Sequence, residues 1–179
     1  MDTQNAGISV FDELGKVIYD DKRDVEYPAW TCFNDEDVAS RIKNPNALPV
    51  VFSIKASERL NHEIHMAVKD CFERGKIKLL VSATESKDYL ETKKEYTNAS
   101  IKEKAILERC YIQTDLMINE MINLSYEIRE STKLIKLIEP RNSTKDRYIS
   151  LAYGNYFIKL LERDLVGEED DTDEQLVFF

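Results

Sequence analysis

Two neighbouring segments narrow the range of possible folds more than any other part of the sequence. The run Leu48-Pro-Val-Val-Phe-Ser-Ile-Lys55 is apolar and rich in β-branched residues, which is typical of a buried strand. Directly after it, residues 57–74 repeat apolar side chains on one helical face, and Gly75 follows as a stop signal. The residues of that face are Leu60, Ile64, Ala67, Val68 and Cys71. A buried strand followed by an amphipathic helix predicts an α/β fold.

The chain continues this alternation. Ile77-Lys-Leu-Leu-Val81 is predicted to form the next strand. Ser100-Ile-Lys-Glu103 matches a capping box, which predicts the start of a long helix running through Leu124. Residues 126–130 and 134–138 alternate in polarity and predict a β-hairpin with a charged outer face. The whole order predicts a mixed sheet flanked by helices.

The last predicted helix, residues 143–161, has an acidic residue near its start. Asp146 lies in the first turn, where free backbone N–H groups and the helix dipole favour a carboxylate. One interpretation is structural, with Ser143 or Asp146 capping the helix. The other is functional, with the helix start presenting Asp146 to a divalent cation, because Mg²⁺ binds carboxylate oxygens gathered from separate chain segments. The spacing alone does not decide between them.

The net charge of −9 does not exclude a nucleic-acid partner, because the acidic residues are concentrated at one end. Residues 162–179 contain eight acidic residues and one arginine, a sum of −7, so residues 1–161 carry only −9 + 7 = −2. A near-neutral body can still present a basic face to phosphates. Residues 162–179 are predicted to be a mobile acidic tail. Its apolar end, Leu176-Val-Phe-Phe179, either frays or docks on the body or a partner.

Several classes of protein are disfavoured by what the sequence lacks. It has no apolar run long enough to span a membrane and no secretion signal at residues 1–5. Its three cysteines are unclustered, which fits reduced thiols in a cytoplasm. There is no glycine-rich phosphate loop, no Cys-x-x-Cys pair and no nucleophile elbow. His62 and His65 share the spacing of a metal pair, but without a third ligand a half-exposed helix surface is the preferred interpretation.

The run Met1-Asp-Thr-Gln-Asn-Ala-Gly-Ile-Ser-Val-Phe-Asp-Glu-Leu14 resembles a segment of the nuclease domain of tailed-phage large terminases. In that family an Asp at a strand end, the second catalytic acid, precedes a small-residue turn and a helix ending in Asp-x-Leu. The similarity extends in order over nearly all of residues 1–161, particularly to terminases of phages and prophages of Gram-positive bacteria. It continues through Tyr27-Pro-Ala-Trp30, residues 53–57, Asn61, residues 77–80, residues 113–124 and residues 145–153.

The resemblance implies a ribonuclease H-like fold and a two-metal endonuclease that cuts concatemeric viral DNA during packaging. It makes Asp2 the second acidic metal ligand and Asp146 the third, both holding Mg²⁺ or Mn²⁺. Two cations about 4 Å apart can activate a water and stabilise the leaving oxygen. The implied partners are double-stranded DNA and, in the packaging machine, the terminase ATPase domain, the small terminase and the portal. The implied location is the cytoplasm of a bacterial host.

The resemblance also implies that the nuclease site is incomplete. The family's first catalytic Asp lies on a strand that precedes the segment matched here, and the resemblance assigns that role to neither Asp12 nor Asp20. We therefore expect a fold lacking its first strands, from a fragment, a split gene or a prophage remnant, with little activity alone. A competing prediction pairs residues 7–11 with residues 16–19 as a hairpin and makes Asp2 the first ligand. A helix at residues 6–14 would exclude it.

Basic side chains near these positions are candidates for contact with DNA phosphates. Lys133 and Lys136 lie on the predicted hairpin, which in terminase nucleases is beside the DNA path. Lys145 and Arg147 flank Asp146. The alternative for each is an ordinary solvated surface charge. The alternative for the whole chain is a non-catalytic packaging module that kept the fold and lost the chemistry.

Overall fold

The computed structural model describes residues 1–3, 6–141 and 144–170, with side chains as far as Leu165. The chain divides into two compact units, Met1–Ser57 and Glu58–Phe179. The first unit contains α1 (Ala6–Leu14), β1 (Ile18–Asp20), β2 (Val25–Tyr27), β3 (Trp30–Cys32), α2 (Glu36–Ala39) and β4 (Leu48–Val51). The second contains α3 (Glu58–Glu73), α4 (Ala83–Glu91), α5 (Lys94–Thr97), α6 (Ile101–Asn123), β5 (Ser125–Ile128), β6 (Ile135–Ile138) and α7 (Asp146–Asp170).

The first unit packs α1 and α2 around a parallel strand pair. β3 and β4 run parallel, and β1 and β2 form an antiparallel hairpin. Phe11 of α1 is fully buried in an apolar cluster with Cys32, Val38 and Val51. The helix at Ala6–Leu14 excludes the competing hairpin of residues 7–11 with 16–19, so that prediction is wrong. The reason is tertiary, because the single buried face of α1 places Phe11 in this cluster.

The second unit is held together by α3 and α7. Its main apolar cluster contains Ile64 and Val68 of α3 with Tyr148 and Ala152 of α7. At the end of α3, Gly75 adopts a left-handed φ of 66°, as its position after the predicted helix indicates. The predictions of α3, of the capping box that opens α6 and of the β5–β6 hairpin are confirmed.

The mixed α/β composition is confirmed, but the strands do not form one sheet. Within the described residues they form three two-stranded sheets, β1–β2, β3–β4 and β5–β6. The strand predicted at residues 77–81 is absent, and Leu80 and Val81 are 47% and 53% exposed. An apolar run becomes a strand only where another backbone bonds to it, and in the part of the chain described none pairs with these residues. The prediction was therefore wrong.

Two further differences concern helices. The sequence contains a second capping box, Ser82-Ala-Thr-Glu85, which opens α4 and was not among the predicted helix starts. At the other end, α7 continues through Asp170, so residues 162–170 of the predicted mobile tail are helical. The apolar end at residues 176–179 lies outside the described residues. Across the described residues, no helix combines the length and apolar character needed to cross a membrane.

Candidate functional site

The start of α7 is capped by a carboxylate from another helix. Glu120 of α6 accepts hydrogen bonds through Oε2 from the backbone N–H groups of Arg147 and Tyr148, at 3.0 and 3.1 Å. Its Oε1 accepts from the Arg147 guanidinium at 2.6 Å and from the Thr144 hydroxyl at 3.3 Å. These N–H groups belong to the first turn of α7, where backbone N–H groups have no carbonyl acceptor within the same helix. Glu120 therefore caps the N–H groups of Arg147 and Tyr148, whereas Ser143, the other candidate cap, lies outside the described residues.

Glu120 is buried, with 7% of its surface exposed, yet it stays ionised easily. Burial alone would raise the pKa of Glu120, but the N–H of Tyr148 and the contacts with Arg147 outweigh it, and the net shift is downward. The Arg147 guanidinium also donates to Gln113 Oε1 at 2.7 Å. The Arg147 guanidinium thus bonds two residues of α6, Gln113 and Glu120, and these contacts fix the first turn of α7 against α6.

Asp146 lies at the same helix start but faces solvent. Its side chain is exposed, and no hydrogen bond or ion pair joins it to the residues that the structure describes. Its backbone carbonyl accepts from the Ser150 hydroxyl at 2.8 Å. Since Glu120 already binds the free N–H groups of Arg147 and Tyr148, the carboxylate of Asp146 is not needed as a cap. It remains accessible to a ligand from solvent.

The two histidines of α3 have structural partners. His62 Nδ1 accepts from the backbone N–H of Ile135 at 3.1 Å, which joins α3 to the hairpin. His65 Nδ1 lies 2.9 Å from the Tyr148 hydroxyl, and the two rings stack with centroids 5.5 Å apart. Burial, together with the charges of Lys145 and His62, lowers the pKa of His65 to about 4. Both rings are therefore parts of the helix packing.

The four basic residues proposed to contact DNA differ in how strongly they are held. Lys145 Nζ lies 2.5 Å from the Glu139 carboxylate, and Arg147 is bound by Glu120. Lys136 lies 3.5 Å from Glu127, its direct cross-strand neighbour, and both side chains are about half exposed. Lys133 occupies the hairpin turn with a left-handed φ of 57°. A phosphate would compete with a carboxylate of the protein at three of these positions.

Asp2 belongs to the first unit, where it forms a parallel bridge with Ile54. Ile54 N–H donates to the Met1 carbonyl at 2.8 Å, and Thr3 N–H donates to the Ile54 carbonyl at 3.3 Å. Gly7, the second residue of α1, passes so close to Asp2 that a Cβ on it would lie 2.0 Å from the Asp2 carbonyl oxygen. Asp2 itself is exposed. Asp2 and α1 therefore follow in the order on which the resemblance rests, while residues 4–5, where part of the small-residue turn is expected, lie outside the described residues.

The two other acids near Asp2 in sequence are engaged elsewhere. Arg41 holds Asp12 through two hydrogen bonds of 2.8 and 2.5 Å, and this contact lowers the pKa of Asp12. Asp20 accepts the backbone N–H groups of Lys22 and Arg23 at 3.0 and 3.2 Å, which closes the β1–β2 turn. Neither carboxylate is presented as a metal ligand.

Within the described residues, neither unit forms a complete metal centre. Asp2 and Asp146 are each exposed carboxylates, suited to a hard cation, but Asp2 lies in the first unit and Asp146 in the second. Among the described residues, no group of three or more His, Cys, Asp or Glu side chains is arranged to hold a metal. Each unit thus offers one of the predicted acids, fewer than a two-metal centre requires.

Glu120 was missed because its sequence position resembles ordinary helix surface. Glu120 lies between Met117 and Met121 on the apolar face of α6. An acid on an apolar face was the sequence signal that could have indicated a buried, hydrogen-bonded carboxylate. α6 uses a second acid in the same way, since Asp115 accepts the N–H of Ala83 at the start of α4, at 2.9 Å. No family model, curated protein or solved structure matches this chain.

Proposed function

We propose that this chain is part of a terminase-type, metal-dependent DNA endonuclease with a ribonuclease H-like fold. Asp2 and Asp146 would hold Mg²⁺ or Mn²⁺ with a further acid from the strand that precedes them in the family. The observation that carries the proposal is Asp146, an exposed carboxylate without a partner among the described residues, at a helix start already capped by Glu120. The bridge of Asp2 with Ile54, the close approach of Gly7 to Asp2 and the helix α1 support it further.

The chemistry follows from carboxylates held at the ends of ordered segments. Asp146 lies on the first turn of a helix fixed by α6, so its position is reproducible, which a metal ligand requires. A cation bound there would polarise a phosphodiester oxygen and help to generate hydroxide from water. The bound DNA is double-stranded, and its recognition by backbone charge predicts little sequence preference.

Metal binding is the first test. Calorimetric titration with Mn²⁺ is expected to show binding that Asp146→Ala weakens at least several-fold, while the exposed acid Asp88 serves as the matched control in Asp88→Ala. Asp2→Ala is compared with Asp21→Ala in the first unit. Identical Mn²⁺ affinity for Asp146→Ala and the unaltered chain would remove Asp146 from the site.

Cleavage of plasmid DNA with Mn²⁺ is the second test. We expect little cleavage by the chain alone and cleavage once the upstream segment of a terminase nuclease is supplied. Cleavage by the chain alone would refute the proposal of an incomplete site.

A non-catalytic packaging module is the second candidate. It is favoured by the ion pairs of Lys136, Lys145 and Arg147, which leave fewer cations for phosphate. Absence of cleavage in both arms, together with an unchanged Mn²⁺ affinity in Asp146→Ala, would select this candidate over the nuclease.

A further inference from the structure

The apolar run at residues 77–81 has the exposure pattern of a strand without a strand partner. Ile77 and Leu79 are half-buried, whereas Lys78 and Leu80 are exposed, which is the alternation of a strand that lies with one face on a core. Ile77 packs on the apolar cluster of α3 and α7. Among the described residues, no partner is found for the backbone N–H and C=O groups of this run. We call these five residues the 77–81 segment.

The free groups of the 77–81 segment define the chemistry of an occupant. A backbone N–H or C=O without a protein partner is left to bind water, and Leu80 and Val81 are 47% and 53% exposed beside these groups. An added strand would bond the backbone groups and cover the apolar side chains at the same time. The fitting occupant is therefore extended, apolar and rich in residues that favour strands.

The apolar end of the chain, Leu176-Val-Phe-Phe179, has this chemistry. Its valine and two phenylalanines favour strands, and it contains neither glycine nor proline. Residues 171–179 lie outside the described residues, and α7, which leads to them, is described through Asp170. The function proposed above gives this apolar end no role.

The apolar end is within reach of the 77–81 segment. Lys76 Nζ, directly before the segment, lies 3.7 Å from the Glu162 carboxylate of α7. Asp170 is eight residues further along this helix, a distance of about 12 Å. The six residue steps from Asp170 to Leu176 span up to about 20 Å when extended. The chain can therefore turn back after α7 and bring Leu176 beside Ile77.

The direction of pairing follows from the two ends of the 77–81 segment. It starts beside Glu162, and Ala83, two residues beyond its end, donates its N–H to Asp115 of α6 at 2.9 Å. The neighbouring turns of α6 bond Arg147 at the start of α7. The segment therefore runs from the later part of α7 toward its first turn. A chain that turns back after α7 runs the same way, so the two strands are parallel.

The charges on the two sides are opposite. Lys78 is exposed and forms no ion pair with a described residue, and the ion pair of Lys76 with Glu162 joins two side chains that are about half exposed. Residues 168–174 contain six acids and no base. These acids gain favourable interactions when the chain returns to Lys76 and Lys78, whereas at the end of α7 they meet the negative end of the helix dipole.

We propose that Leu176-Val-Phe-Phe179 adds to the 77–81 segment of the same molecule as a parallel strand. The contact lies within the second unit and goes beyond the nuclease function, since it needs neither DNA nor metal. It supplies the backbone partner that this apolar run lacks among the described residues, and it covers Leu80 and Val81.

Hydrogen exchange of the full chain, followed by mass spectrometry, tests the pairing. The N–H groups of residues 77–81 are expected to exchange about tenfold more slowly than unprotected N–H groups. Val177→Pro combined with Phe178→Pro should remove this protection. Consecutive N–H groups of a strand point to opposite sides, so one of the two prolines deletes a bond to the segment in either register. The matched control, Val177→Ile combined with Phe178→Tyr, keeps both N–H groups and should keep the protection.

The concentration dependence identifies whose apolar end is bound. Binding within one molecule gives protection that stays the same when the chain is diluted from about 100 μM to about 1 μM. Protection that disappears on dilution would assign the strand to a second copy and overturn the proposal. Unprotected N–H groups at residues 77–81 in the unaltered chain would also overturn it, as would protection that the two prolines leave intact.

Discussion

Replacing Glu120 with alanine is expected to destabilise the second unit more than any other single change of an acidic side chain there. The substitution removes the acceptor for two backbone N–H groups of α7, for the Arg147 guanidinium and for the Thr144 hydroxyl. The backbone groups at Tyr148 are buried and cannot turn to water without opening the helix. The loss therefore falls on the contact between α6 and α7.

The magnitude follows from two overlapping effects of one carboxylate. Loss of a helix cap costs about 0.5–2 kcal/mol. Removing one partner of a buried ion pair costs about 3–5 kcal/mol, but the Arg147 side chain is 37% exposed and can recover part of its hydration. We therefore expect Glu120→Ala to lower the free energy of unfolding by about 3 kcal/mol. Glu120→Gln, which keeps the shape and one acceptor oxygen, should cost about half as much.

Urea unfolding followed by two signals measures this loss and locates it. The helical far-UV circular dichroism signal comes mainly from the second unit, whereas the single tryptophan, Trp30, lies in the first. Glu120→Ala should shift the helical transition to lower urea and leave the fluorescence transition of Trp30 nearly unchanged. A loss of helical stability below about 0.5 kcal/mol, the usual range for a surface change, would refute the capping role.

The pH dependence gives an independent check. The folded pKa of Glu120 is lowered, so the stabilisation by its carboxylate is present above its unfolded pKa, about 4.3. That stabilisation is lost as the pH falls through the lower folded pKa. Glu120→Gln cannot titrate at this position and should lack that part of the acid dependence. If the stability of Glu120→Gln depended on acid pH as that of the unaltered chain does, the hydrogen bonds of the Glu120 carboxylate would not stabilise its ionised form in the folded state.

Three further outcomes are expected. The pKa of His65 is lowered to about 4, so on acidification the unfolded chain binds a proton at this histidine before the folded chain does, and the stability present above pH 6.5 should fall between pH 6.5 and 4. His65→Asn should reduce this fall when the free energy of unfolding is measured with urea at each pH. An unaltered dependence of that free energy on pH would contradict the expectation. Gly7→Ala should displace Asp2 or α1 and lower the urea midpoint of the Trp30 transition, whereas an equal midpoint would refute the close approach. Asn155→Leu should raise the urea midpoint of the helical transition, because the buried Asn155 Nδ2 has no hydrogen-bond partner within the described residues. A lower midpoint would show that the Asn155 amide is hydrogen-bonded in solution.

The bounds of α3 and the start of α6 were predictable because their signals are local. The apolar repeat of α3, the glycine after it and the capping box Ser100–Glu103 act within one or two turns of the chain. The same holds for the β5–β6 hairpin, whose strands are neighbours in sequence. α4 could have been predicted as well, since Ser82 and Glu85 form the same capping box.

The candidate site was only partly predictable from the sequence. Asp2 and Asp146 were selected by resemblance, and the structure leaves both exposed, each in its own unit. Nothing in the spacing of Glu120 relative to Arg147 indicated their contact, because 27 residues separate them. A hydrogen bond across that distance depends on how α6 and α7 pack, which no short window of sequence contains.

The sequence by itself therefore determined several local elements: α3 with the glycine after it, α6, most of α7 and the second hairpin. Only the tertiary structure decided which apolar run became a strand, since residues 77–81 lack a partner backbone in the part of the chain that is described, while Leu48–Val51 pairs with β3. It also decided which acid caps α7, because Glu120 reaches the free N–H groups from a neighbouring helix. The physical reason is the same for both, since a backbone hydrogen bond needs a partner, and a distant partner is supplied by packing.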